Sequence, residues 1–245
     1  MTRVDDTLAA ALKGLPPKPA DDAGQAEKKR YSELMSAAVA QAFAAELRAR
    51  GMVEARPSPP GVSGASGAER RLAGGLGAKK VDVSWATEES GLIAAITVKT
   101  INFRDNKSRS FQKNLTNRRA DLLNEAVTLH RRFPYAVLGG FFFIDADAAN
   151  DGTTRRQSTF LNAFPRFRLF TGRTDPAGRD EQYERLYLVL VSANPFNPTW
   201  RCFHMTDSNN EVTLDDALTA MVDLIVERNF DTYETDGNGG VQKLG

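Results

Sequence analysis

Residues 92–101 read LIAAITVKTI, an apolar and largely β-branched run interrupted near its end by Lys99. A run of this length and composition predicts a central, buried strand. A lysine within it is costly unless it is paired or lies near the strand end, facing a polar cleft. Whatever packs beside this strand must therefore accommodate an ammonium group. Upstream, residues 80–86 (KVDVSWA) alternate apolar and polar side chains, which predicts a half-buried strand carrying Asp82, followed by a turn over 87–91. Sixteen residues separate Asp82 from Lys99, about what a tight hairpin needs to set two strand positions side by side.

The remaining periodicities build around this hairpin. Residues 27–50 form the clearest helical pattern, with Tyr31, Leu34, Met35, Ala38, Val39, Ala42, Phe43 and Leu47 at spacings of three and four and Gly51 as the stop. A second helix is expected from about residue 116 to 132, ended by Phe133–Pro134. Strands are expected over 135–144 (interrupted by Gly139 and Gly140), 185–193 and 199–205, with an irregular or helical segment at 158–171. Thr213, with Asp216 three residues on, caps a final helix over about 214–229. The order predicts an α/β or α+β domain, a mixed β-sheet flanked by helices. Residues 1–26 are polar and proline-broken, an N-terminal arm with a short helix over 7–13. Residues 27–236 form a single domain containing a flexible Gly/Pro/Ser-rich loop at 54–78, and 237–245 are a tail.

The formal net charge of +1 conceals an uneven distribution. Between Lys99 and Arg132 there are nine lysines and arginines against three acids, whereas 207–236 holds nine acids against Arg228 alone. A basic middle of this kind suits a polyanion. One cysteine, Cys202, excludes an internal disulfide framework and points to a reducing, cytoplasmic setting. With only His130 and His204 beside it, a structural zinc site is not expected. No apolar run is long enough to span a membrane. Asp145, Asp147 and Asp151 suggest a calcium loop, but Arg156 stands where its twelfth-position acid is needed.

Asp82 in V-D at 81–82, Lys99 in T-V-K at 97–99, and the following helix together resemble the PD-(D/E)XK, or restriction-endonuclease-like, nuclease superfamily, over about residues 27–145. In that family an acid on one hairpin strand and an acid-x-Lys on the next hold a divalent ion and a lysine at a phosphodiester. Here Val81 replaces the proline and Thr97 replaces the second acid. The pattern is similar to type II restriction enzymes in which Ser or Thr precedes x-Lys and the acid is displaced to the next helix. Asp121 or Glu125 is in position to supply it, and Glu125 is preferred because N-x-R…E-A resembles the displaced motif. The resemblance implies a Mg2+- or Mn2+-dependent endonuclease on double-stranded DNA. Asp82 and Glu125 or Asp121 would be the metal ligands, and Lys99 would position or activate water. It further implies a homodimer and a companion DNA methyltransferase. Arg104, Lys107, Arg109, Lys113, Arg118 and Arg119 are the expected DNA-backbone contacts. Two other readings remain open: a nucleic-acid-binding module on the same fold without catalysis, and a protein-interaction subunit using the acidic C-terminal helix.

Overall fold

The computed structural model describes residues 2–62, 70–74 and 77–244. Among these, β3 (Val83–Thr87), β4 (Gly91–Ile101), β5 (Val137–Asp145), β6 (Arg185–Ser192), β7 (Thr199–His204) and β8 (Glu211–Val212) form one sheet, ordered as in the sequence. β4, β5 and β6 run parallel; β3, β7 and β8 add antiparallel. Parallel neighbours cannot be joined by tight turns. The connection from β4 to β5 carries α3 (Leu115–His130), and that from β5 to β6 carries α4 (Thr159–Phe167). The expected mixed sheet flanked by helices is the architecture found.

Strand alternation divides the core into two layers. Ile96, Val98, Phe141, Phe143, Tyr187 and Val189 pack on one face with α1 (Arg3–Lys13), α2 (Gln25–Ala49) and α5 (Leu214–Arg228). Leu138, Phe142, Leu186 and Leu188 pack on the other with α3 and α4. β5 runs unbroken through Gly139 and Gly140. A Cβ on Gly139 would sit 2.3 Å from the Met221 sulfur, and one on Gly140 2.4 Å from Leu186 Cδ1. The glycines admit close packing from either side of the sheet; they do not interrupt the strand.

The chain ends differ from the expected arm and tail. The Thr2 side chain and Asp5 close a capping box, and α1 buries Val4, Leu8 and Leu12 completely against the sheet layer. The fully buried Glu46 of α2 receives Arg3 at 2.8 and 2.9 Å and Arg50 at 2.8 Å, while Arg50 also reaches Asp215 of α5 at 2.7 Å. At the other end β9 (Tyr233–Thr235) pairs with β10 (Val241–Lys243), and the Val241 amide donates to the Arg50 carbonyl at 2.8 Å. Both segments belong to the packed body. Within the expected 54–78 loop, residues 63–69 and 75–76 lie outside the described residues. The flanking β1 (Arg70–Gly74) and β2 (Gly77–Val81) form an antiparallel hairpin.

A loosely attached arm would tolerate truncation of Leu8, whereas a core helix would not. Leu8→Ala is expected to lower unfolding stability by about 2–5 kcal/mol, read from the urea midpoint at unchanged m-value.

Candidate functional site

Asp82 lies at the bend between β2 and β3, half-buried, where the chain turns from the hairpin into the sheet. Its carboxylate accepts the Val98 amide at 2.6 Å, which pins the bend to β4 one residue before Lys99. Thr97 and Lys99 alternate with the inward Ile96 and Val98, so their side chains leave β4 on the α3 side of the sheet. There they meet Glu125. The Thr97 hydroxyl donates to Glu125 Oε1 at 2.7 Å, and Lys99 Nζ to Oε2 at 2.9 Å. Glu125 is 1% exposed and Lys99 16%. Beneath them the fully buried Tyr183 hydroxyl lies 3.5 Å from Thr97 Oγ1 and donates to the Leu122 carbonyl at 3.3 Å.

The helix acids separate by their position along α3. Asn114, Arg118, Asp121 and Glu125 share a stripe, but Glu125 lies four residues beyond Asp121, about 6 Å further along the axis, where the helix passes under β4. Asp121 stays half-buried and pairs with Arg118 at 3.1 Å. Glu125 is therefore the acid brought against Thr97 and Lys99, and Asp121 acts on Lys99 through its charge.

Burial, the largest single influence on Lys99, works to discharge it. The charges of Glu125 and Asp82, the hydrogen bond to Glu125 and the charge of Asp121 outweigh it, so the Lys99 pKa stands above the ordinary lysine value. At neutral pH Lys99 is an ammonium: it donates hydrogen bonds and cannot accept a proton.

Asp82 and Lys99 open onto a groove of about 940 Å³ between α2 and the β4–α3 connection. Seven lysines and arginines line it against three acids, Glu33, Asp82 and Asp105. Of the six expected backbone contacts, Arg104, Lys107, Lys113 and Arg118 line the groove, and Arg109 and Arg119 do not. Arg109 is exposed on a turn with φ of 52°, and Arg119 lies over the Phe170 ring at 5.3 Å. Arg104 is held at 2.9 Å by Asp147, and Lys113 at 2.7 Å by Asp105. The Lys113 hydrogen bond and the Ser108 amide hold the Asp105 carboxyl well below the usual range.

The remaining acids of the 145–151 segment also have structural work. Asp145 receives Lys18 at 2.5 Å, and the Asp151 carboxylate is consumed by the Phe111 and Thr159 amides at 2.9 and 2.6 Å. Asp151 thereby ties the start of α4 to the end of the basic loop. His130 is buried against Glu184 at 3.2 Å, far along α3 from Lys99. Sequence reasoning did not single out the α2 wall of the groove, Lys28, Lys29 and Ser32 among it, although the basic run 28–30 was a usable signal. Nor did it find Tyr183, which no motif marks.

Among the described residues, no group of three or more His, Cys, Asp or Glu side chains forms a ready metal cage. The donors do fit a hard divalent ion in kind. Asp82 and Glu125 already converge electrostatically on one cation, the Lys99 ammonium, and with the Thr97 hydroxyl they offer oxygen ligands only. Magnesium commonly takes one or two carboxylates and completes its shell with water.

No family model, curated protein or solved structure matches this chain.

The Lys99–Glu125 pair is open to direct measurement. With side-chain 15N detection, Lys99 is expected to titrate above an ordinary lysine. In Glu125→Gln its midpoint is expected to fall from the wild-type position, because burial then acts with less opposition. The linked stability has a defined sign. A raised lysine pKa contributes stability that is fully present below the unfolded value of about 10.4. That contribution is lost as pH rises through the folded value, so the wild type should lose more stability than Glu125→Gln across that alkaline window.

Proposed function

We propose that this protein is a magnesium- or manganese-dependent DNA endonuclease, acting in the cytoplasm in the manner of type II restriction enzymes. The observation that carries the reading is Lys99, which lines a basic groove together with Asp82 and is hydrogen-bonded behind it to the buried Glu125 carboxylate that Thr97 also holds. In this reading the acid missing at Thr97 is supplied by α3, and the T-V-K segment with Glu125 resembles the displaced-acid form of the PD-(D/E)XK site.

Asp82 and Glu125 would hold the divalent ion. Such an ion neutralises phosphate charge and lowers the pKa of the water it binds. Thr97 fixes the orientation of Glu125 through its hydroxyl. Lys99, charged at neutral pH, donates to oxygen that gains negative charge at the scissile phosphate. Lys107, Lys113 and Arg118 hold the backbone, and the salt dependence of binding follows from the counterions they displace. Cleavage of both strands suits a homodimer, and a companion methyltransferase would protect host DNA.

One observation favours a second reading. Both Glu125 oxygens are engaged by protein donors, and the carboxylate is nearly inaccessible. A module that binds nucleic acid without cutting it would have this closed arrangement permanently. The two readings part on plasmid DNA with magnesium. The nuclease is expected to cleave, and Asp82→Ala, Lys99→Gln and Glu125→Gln are each expected to lower the rate by about 100-fold or more, with melting curves confirming that each variant folds. Salt-sensitive binding without cleavage selects the inactive module. Cleavage that survives in Asp82→Ala and Lys99→Gln removes the site assignment.

A further inference from the structure

A second concavity adjoins the groove on its α4 side. It has a volume of about 310 Å³ and shares Asp105 and Lys113 with the groove, so the two adjoin across one pair of side chains. Its own bases are Arg156 and Arg166. Asp105 is already hydrogen-bonded to Lys113 and to the Ser108 amide, and the nearby Asp151 carboxylate is 7% exposed and turned inward onto amides.

The two arginines are held differently. One Arg156 nitrogen donates to the Asp151 carbonyl at 2.7 Å, and backbone bonds between Thr153 and Arg156 fix the turn that presents it. Its buried Nε has no partner among the described residues. Arg166, in the last turn of α4, makes no ion pair or side-chain hydrogen bond among the described residues. Neutral donors, Ser108, Gln112 and Thr116 among them, line the rest of the hollow. Arginine forks surrounded by hydroxyls and amides are the usual means of holding phosphate oxygens without reading bases.

We infer that Arg156 and Arg166 extend the polyanion track beyond the groove, and that a nucleic-acid backbone leaving the Lys99 site passes over Lys113 into this hollow. The inference rests on the proposed nucleic-acid function. The phosphate contacts it adds lie outside the cleavage site. Arg156 and Arg166 contribute affinity and a longer footprint and take no part in bond breaking.

Binding in the absence of divalent metal tests this without requiring cleavage. Fluorescence anisotropy of a labelled duplex would be followed from about 50 to 200 mM salt, where each neutralised phosphate contributes about 0.9 to the slope of log K against log salt. Arg166→Gln is expected to reduce the slope by about 0.9, and Arg156→Gln/Arg166→Gln by about 1.8. Arg166→Gln removes no hydrogen bond or ion pair among the described residues, so its melting temperature should change little. Slopes that stay at the wild-type value in both variants, while Lys107→Gln and Arg118→Gln lower theirs, overturn the extended track and leave the groove reading standing. A wild type that shows no salt-dependent binding at all removes the nucleic-acid reading and the track with it.

Discussion

The buried carboxylate of Glu125 is the constraint on which the site depends. An ionised carboxylate in a protein interior is tolerated only when charge and hydrogen bonds replace its water. On β4, Thr97 bonds one Glu125 oxygen and Lys99 the other, supplying both a hydrogen bond and a charge. This explains the lysine that interrupts an otherwise apolar β4 and the threonine two residues before it. It also fixes α3 against the sheet at one depth, which sets where Arg118 and Asn114 meet the groove. Removing one partner of such a pair leaves the other charge stranded, at a cost of about 3–5 kcal/mol.

The same device recurs elsewhere, and the contrast is informative. Glu46 ties α1, α2 and, through Arg50, α5. The fully buried Glu184 gathers Arg173, Arg228, His130 and the Leu138 amide. Burial alone would raise the Glu184 pKa, but these donors more than reverse it and hold the group ionised. The Glu184 hub is sealed, with the side chains of His130, Arg173 and Arg228 all buried, whereas Arg3 of the Glu46 hub reaches solvent without lining the groove. Glu125 differs because its cation partner, Lys99, lines an open basic groove with Asp82 beside it. A charge cluster that closes a core on one side and faces a basic cleft on the other is the feature on which the proposed function draws, and neither of the other hubs has that cleft.

Much of this could be read from the sequence, for reasons that differ by element. The 3.6-residue pattern of α2 and the Thr213–Asp216 cap of α5 are local signals, and the helices lie within a few residues of their expected limits. The β4 run and its lysine were equally clear. The helix stripe placed Asp121 and Glu125 together but could not separate them, because periodicity reports the face of a helix and not its depth beneath a strand. The N-terminal segment was misread because Pro16, Pro17 and Pro19 outweighed a short amphipathic stretch whose burial comes from distant helices. Gly139 and Gly140 resembled a strand break, whereas tertiary packing against Met221 and Leu186 requires them. The groove wall on α2 was marked only by the basic run 28–30, since the apolar face of a core helix does not report what its polar face encloses.

We propose that Asp82 and Glu125, and not Asp121, form one cation-holding pair. The most direct measurement is a manganese titration of the protein bound to short duplex DNA, followed by electron paramagnetic resonance. The wild type is expected to bind manganese at this site, Asp82→Ala and Glu125→Gln each to lose that ion, and Asp121→Ala to retain it. A wild type that binds no manganese there, or a Glu125→Gln variant that binds it as tightly as the wild type, would rule out the Asp82–Glu125 pair as the ion's ligands.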